Sequence, residues 1–356
     1  MPAPRICTTS MFANRLTSSR LRLISTHLRK MSTMEAIVVE KQGGLDALLL
    51  KKWPRPEVIE NTIVVKNHSI GVTCINYIDT YHRSGVYTLA TPFIPGREGA
   101  GEVVQVGPGV TDFKVGDRVA YLSTASYAEY TRVSLEHVAK IPTHVSYETA
   151  AAAVLQGLTA WTMVRDGYPV KAGDYVLVHA AAGGVGLLLC QMCAHLGAHV
   201  IGTVSTDAKA ELARGNGAKY VINYSHENVA LRVSEITGGL GCHAVLDGVG
   251  ASTWETSLAA VRRLGTVISF GNASGVVPPI SLLTLSQKNI KLMRPTLFQY
   301  IVTPEEFNKW WGELFGLLEQ KKLKVKVHKI YKLEDVRSAH EDLEGRKTTG
   351  KLLLKL

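Results

Sequence analysis

The chain has 356 residues, of which 46% are hydrophobic and 20% charged, and a formal net charge of +10. That length supports two domains with cores of their own. The composition is that of a soluble globular protein, and no apolar run reaches the 18 residues a membrane-spanning helix needs. Five irregularly spaced cysteines (Cys7, Cys74, Cys190, Cys193, Cys242) argue against a disulfide framework and for a reducing compartment.

The charge is uneven along the chain. Residues 1–34 carry Arg5, Arg15, Arg20, Arg22, Arg29 and Lys30 and no acid, which leaves +4 for the remainder. An acid-free start bearing Arg and Ser has the composition of a mitochondrial transit peptide. Residues 1–33 are therefore read as a targeting or disordered extension, with a cytoplasmic protein as the outcome if translation starts at Met31 or Met34.

From residue 34 to 159 the pattern is short β-type runs (35–40, 61–67, 99–107, 117–122) broken by Gly and Pro, which predicts a barrel-like β unit. From 160 to 298 buried-strand runs (174–180, 199–205, 219–224, 243–249, 265–271) alternate with helical segments at Gly184–His195, Ala208–Gly215 and Trp254–Arg263. That alternation predicts a doubly wound parallel sheet, so the fold class is mixed α/β. Residues 299–356 return to mixed character. Their helix opens at Thr303, an expected N-cap, with Glu305 and Glu306 in the first turn.

The run Ala181-Ala-Gly183-Gly184-Val185-Gly186 gives A-x-G-x-x-G between a strand ending near His179 and a helix starting near Gly184. In that context the glycines let backbone amides approach a pyrophosphate, and the helix N-terminus adds a partial positive charge. The next strand ends Thr203-Val204-Ser205-Thr206 without the carboxylate that an NAD site places on the ribose 2′-hydroxyl. Ser205 and Lys209 suit a 2′-phosphate instead, which favours NADPH, although Asp207 is close enough in sequence to serve a ribose.

With their flanks, these residues resemble the quinone oxidoreductase (zeta-crystallin-like) branch of the medium-chain dehydrogenase/reductase superfamily. The motifs are 75–87 (INYIDTYHRSGVY), 94–103 (IPGREGAGEV), 116–121 (GDRVAY), 176–186, 201–206 (IGTVST), 221–224 (VINY), 267–275 (VISFGNASG) and 344–351 (EGRKTTGK). The resemblance implies a GroES-like catalytic domain built from both chain ends and a Rossmann domain between them. It implies NADPH-dependent reduction of quinones in the cleft, by a homodimer that pairs Rossmann edge strands. It places Asn76, Ile78, Asp79, Thr80 and Tyr81 along the nicotinamide and its ribose, and Thr159 beside the cofactor. Gly183, Gly184, Val185 and Gly186 fall at the pyrophosphate; Ser205, Lys209 and Tyr224 surround the 2′-phosphate and adenosine. Phe270, Gly271 and Asn272 lead toward the nicotinamide, and Arg346 is a cofactor-contacting arginine. The segment before Asn76 runs about three residues longer than the family strand, so a bulge or insertion is expected there.

No metal is expected. Zinc dehydrogenases of the superfamily use a Cys, a Gly-His-Glu and a further Cys or Asp; here those positions read Asn76 and Gly96-Arg97-Glu98, and three ligands cannot be assembled. Cys190 and Cys193, with His195 and His199 nearby, are too closely spaced for a zinc finger and are read as buried residues of the first Rossmann helix. Without a Lewis acid, Tyr81 or Tyr87 is expected to hydrogen-bond the developing oxyanion, with Asn76 and Asp79 orienting cofactor, water or substrate. Two other functions fit the same residues: NADPH-dependent reduction of an activated C=C bond in an enal, enone or enoyl thioester, and an RNA-binding or structural role. The +4 of the core and the absence of a basic-aromatic stripe count against the last.

Overall fold

The fold opens as an antiparallel pair of strands in which Met34, Ala36, Ile37 and Val38 of the first are buried. In the computed structural model, which describes residues 32–67 and 72–356, β1 (Thr33–Val38) pairs with β2 (Leu49–Pro54). There follow β3 (Thr62–Lys66), β4 (Val72–Ile75), α1 (Tyr77–Ser84), β5 (Glu98–Val106), β6 (Arg118–Leu122), β7 (Tyr130–Ser134) and β8 (Val138–Lys140). β3 lies between β5 and β7, β5 also pairs with β4 and β6, and β6 with β8. Ile63, Val65, Val103, Val119, Tyr121 and Val133 fill the interior of this unit. All four runs expected as strands are strands.

α2 (Tyr147–Thr162) is capped by Ser146, whose hydroxyl accepts from Thr149 N, and continues as a π-type turn over Met163–Gly167. Ala150 to Ala153 are fully buried on it, and small side chains let the helix approach β5 and β6 on one side and the next helix on the other. The expected boundary between residues 159 and 160 thus falls inside a helix that both units share.

The parallel unit comprises β9 (Tyr175–Val178), α3 (Gly184–His195), β10 (His199–Val204), α4 (Asp207–Arg214), β11 (Tyr220–Asn223), α5 (Val229–Ile236), β12 (Cys242–Asp247), α6 (Trp254–Ala260), β13 (Val261–Ser269), α7 (Leu283–Ser286) and β14 (Lys291–Met293). Its strand order, β11-β10-β9-β12-β13-β14, is the doubly wound 3-2-1-4-5-6 order, whose ligand crevice lies at the carboxyl ends of the first and fourth strands. One expected element is corrected. The helix expected over Trp254–Arg263 stops at Ala260, because Val261 already pairs with Cys242 and Arg262 and Arg263 continue the strand. Sheet pairing overrides their helix propensity.

The chain then returns to the first sheet through α8 (Pro304–Glu319), β15 (Val327–Lys332), α9 (Val336–Glu344) and β16 (Lys351–Lys355). β16 pairs antiparallel to β4 and parallel to β15, so both chain ends build one sheet. Thr303 caps α8 as expected, in a reciprocal capping box with Glu306. Phe307, Trp310 and Leu314 pack with α2 and α3 in one core. Among the described residues no helix is long and apolar enough to cross a membrane. The targeting expectation for residues 1–33 lies, apart from the last residues, outside the described residues, and the bulge or insertion expected before Asn76 does so in part, since residues 70 and 71 precede the described strand β4.

Candidate active site

The turn after β9 is built for close approach. A Cβ on Gly186 would stand 2.2 Å from the Ala180 carbonyl oxygen, and one on Gly184 2.2 Å from Gln156 Oε1, so neither position accepts a side chain without displacing its neighbour. Gly183, Gly184, Val185 and Gly186 line a cleft of about 610 Å³ between the two sheets. The first-turn amides of α3, which lack helical acceptors, are available there to an anion.

At one end of the cleft stand Ser205, Lys209, Tyr224 and Arg346. Lys209 Nζ donates to the Arg346 carbonyl at 2.8 Å, and burial together with the Arg346 charge lowers the Lys209 pKa. Two cations held side by side without a carboxylate form a receptor for a phosphate. Asp207 is no rival for a ribose: its Oδ1 accepts from Asn223 Nδ2 at 3.0 Å and it does not line the cleft. Among the described residues no Asp or Glu lines the cleft; the charged ones that do are Arg97, Lys209, Arg294 and Arg346.

At the other end are Asn76, Ile78, Tyr81, Tyr87, Thr159, Phe270 and Gly271. Tyr81 Oη accepts from Asn272 N at 3.0 Å, and burial pushes its pKa up to about 12. Its own proton therefore stays on and is free to be donated into the cleft. Tyr87 differs. With the Asn272 amide oriented to satisfy both its ends, Nδ2 donates to the Gly271 carbonyl (3.0 Å) and Oδ1 accepts from Arg294 (3.0 Å) and from Tyr87 Oη (3.1 Å). The Tyr87 proton is thereby committed.

Three expected contacts are corrected. Asp79 is fully buried and lies off the cleft; its Oδ2 accepts from Asn76 N (2.8 Å) and Tyr127 Oη (3.0 Å). It fills the third position of α1 and reaches back to the N-cap amide, half of a capping box. Burial raises its pKa to about 6. Thr80 is also buried, with its hydroxyl donating to the Tyr77 carbonyl (2.8 Å) as helix side chains do when turned inward. Asn272 does not line the cleft either; it positions both tyrosines from behind.

Asn76 does reach the cleft, but its amide is held in a buried network. Asn76 Nδ2 donates to Glu98 Oε1 (2.6 Å), and Lys351 Nζ lies 2.6 Å from both Asn76 Oδ1 and Glu98 Oε1. Gln156 Nε2 also donates to Asn76 Oδ1 (3.3 Å), and Glu98 Oε2 accepts from Leu155 N (2.8 Å). These are the positions at which a catalytic zinc would be expected. The donor set does not fit one: an ammonium already occupies the carboxylate, and Arg97 brings a second cation. Cys190 and Cys193 lie buried on α3, where burial pushes both thiols up, Cys190 to about 12. They are core residues, as expected.

A barrel-like domain closed by both chain ends, joined to a six-stranded dinucleotide-binding sheet across a cationic cleft, defines a two-domain nicotinamide-dependent oxidoreductase. Comparison with known proteins narrows the class. The zinc-binding dehydrogenase family matches residues 184–315, and the alcohol dehydrogenase GroES-like domain matches residues 60–143. A probable quinone oxidoreductase of Schizosaccharomyces pombe is 46% identical over 89% of this chain and 96% of its own. A 2-haloacrylate reductase of Burkholderia is 37% identical over 90% and 98%. The structure of Escherichia coli quinone oxidoreductase complexed with NADPH matches with a TM-score of 0.86 at 41% identity, covering 91% of this chain and 99% of that one. The chain belongs to the quinone oxidoreductase branch of the medium-chain dehydrogenase/reductase superfamily.

Cleft residues the sequence did not single out are Arg294, Phe298, Gln156 and, as a site residue, Arg97. They arrive from separate elements, and only Arg97 carried a sequence signal, its place in the zinc-ligand tripeptide.

Proposed function

We propose that the protein is an NADPH:quinone oxidoreductase that works without zinc. The observation that carries this reading is the cation pair Lys209 and Arg346 beside Ser205, in a cleft that no carboxylate lines among the described residues; it suits a 2′-phosphate. NADPH, when bound, supplies the hydride, so the chain's own task is orientation, exclusion of water and proton placement. Gly183–Gly186 and the start of α3 hold the pyrophosphate. Asn76, fixed by Glu98 and Lys351, and Tyr81, fixed by Asn272, border the acceptor. Tyr81 donates its hydrogen bond to the oxygen on which charge develops. A quinone needs no further electrophilic help, which agrees with the missing zinc donors.

A second reading, reduction of an activated C=C bond, is favoured by the 2-haloacrylate reductase relative. It uses the same groups, with Tyr81 as the source of the α-proton. Initial rates of NADPH oxidation with para- and ortho-quinones beside enals, enoyl thioesters and 2-haloacrylate separate the two. Turnover on quinones supports the first reading, and turnover on alkenes alone replaces it with the second. For assembly, we propose a homodimer through β14, one of the two outer strands of the parallel sheet, whose Lys291 and Leu292 are exposed. A light-scattering mass of one chain refutes that. The mitochondrial destination proposed for residues 1–33 is tested by locating the chain with and without them.

A further inference from the structure

Of the four cations in the cleft, Lys209 and Arg346 belong to the phosphate end. Arg294 donates to the Ser269 and Gly271 carbonyls at 3.1 and 3.2 Å. Arg97 has no such assignment. It sits at the entry to β5, between Gly96 and Glu98, with its backbone fixed at both sides. The Arg97 carbonyl accepts from Ser123 N at 3.1 Å. Gly96, at φ +96°, is pressed so tightly against Ser126 that a Cβ there would fall 2.2 Å from the serine oxygen. The side chain lines the cleft. Its Nε is buried without a hydrogen-bond partner, and among the described residues it forms no ion pair. Its guanidinium lies 5.0 Å from the Phe298 ring centroid.

A guanidinium nitrogen buried without an acceptor is costly, and contact with one aromatic face offsets that cost only in part. Among the described residues no group hydrogen-bonds the guanidinium, and the nearby charged side chains act on it only through space. Asp79, the carboxylate that acts on Arg97 through space, has its Oδ2 committed to Asn76 and Tyr127. His82 is held neutral by burial and by Arg97 itself, its pKa lowered to about 4. Lys351 adds a further cation behind Asn76 and is matched by Glu98. Among the described residues no carboxylate lines the cleft, so Arg97 presents a guanidinium without an ion-pair partner to the space the acceptor fills.

We propose that Arg97 is the docking residue for an anionic substituent, so that the favoured acceptors are conjugated carbonyl compounds bearing a carboxylate near the carbon that is reduced. This rests on the reductase reading above and names its substrate class. Arg97 pairs with the carboxylate, Phe298 packs on the conjugated plane, and Tyr81 addresses the reducible carbonyl.

The test is the ratio of kcat/KM for two matched acceptors: a para-naphthoquinone carrying a carboxymethyl group, and its neutral methyl ester. A second pair, 2-chloroacrylate and its methyl ester, serves the alkene reading. The wild-type protein is expected to prefer the anion about tenfold or more. Arg97→Gln brings the ratio to about one, and Arg97→Lys keeps part of it. A wild-type ratio near one, or a preference that survives Arg97→Gln, overturns the proposal. If no acceptor is turned over, the reductase reading fails by itself. Equilibrium dialysis of naphthylacetate against the two proteins with NADP⁺ present then decides the docking claim: binding at least tenfold tighter to wild type upholds it, and equal binding overturns it. Melting curves for both variants show whether they are folded.

Discussion

The buried ion pair between Lys351 and Glu98 invites the most direct stability test. The two side chains are 1% and 0% exposed and 2.6 Å apart. Lys351 stands at the start of β16, Glu98 at the start of β5, and Glu98 also accepts from the Leu155 amide inside α2. One carboxylate therefore joins the C-terminal strand, the barrel and the shared helix, and Asn76 at the cleft edge takes its orientation from the same pair. Lys351→Met keeps the length of the side chain and removes the ammonium, leaving a charge buried without its counter-ion. Breaking one side of a buried pair costs about 3–5 kcal/mol. At roughly 2–4 °C per kcal/mol for chains of 150–250 residues, and somewhat less for longer ones, the midpoint should fall by about 5–15 °C. The double variant Lys351→Met/Glu98→Gln removes the stranded charge and should recover at least half of that loss. Thermal unfolding followed by circular dichroism without cofactor reads both. A single variant that melts within 2 °C of wild type refutes the argument, as does a double variant that is no better than the single.

Three further predictions concern the cleft and its support. Tyr81→Phe should lower kcat with quinone about tenfold, equivalent to about 1.4 kcal/mol of barrier, while Tyr87→Phe, whose proton is already given to Asn272, should lower it less; equal effects, or none, contradict the assignment. Gly186→Ala places a methyl group against the Ala180 carbonyl and should raise the KM for NADPH more than it lowers kcat, and an unchanged KM counts against the pyrophosphate turn. Asp79 and His340 both contact Tyr127 and oppose each other in acid. Asp79, raised from 3.8 to about 6, holds a proton that the unfolded chain has shed, so its contribution to stability falls as pH rises between those values. His340, lowered from 6.5 to about 3, stays neutral while the unfolded chain is protonated, so its contribution rises with pH over that range. Asp79→Asn removes the first slope and should make stability fall more steeply from pH 6.5 to 4 than in wild type; parallel urea midpoints across that window refute the opposition.

The parallel sheet was legible because its strands are buried on both faces and read as continuous apolar runs, while Gly183, Gly184 and Gly186 mark the turn locally. The partly exposed β2, with Lys51 and Lys52 at its centre, and the three-residue strands β8 and β14 carry no comparable pattern and exist through their neighbours. The phosphate end of the cleft was legible for the same local reason: Ser205 and Lys209 follow one strand end. The acceptor end was not, since Arg97 meets there the segment bearing Arg294 and Phe298 from a distant part of the chain. Asp79 shows a signal that pointed elsewhere. Asn76-Tyr-Ile-Asp79 has the spacing of a helix capping box, and that local role takes the carboxylate away from the cleft.

The central claim is that this cleft selects NADPH and passes its hydride to a quinone. It is tested most directly by kcat/KM for NADPH and for NADH at a fixed para-quinone concentration, with wild type and Lys209→Ala. A charge-assisted contact to the 2′-phosphate is worth about 1.5–3 kcal/mol. Wild type should therefore prefer NADPH by about tenfold or more, and Lys209→Ala should lose most of that preference by raising the KM for NADPH alone. Equal use of the two cofactors, or no quinone-dependent oxidation of either, contradicts the account.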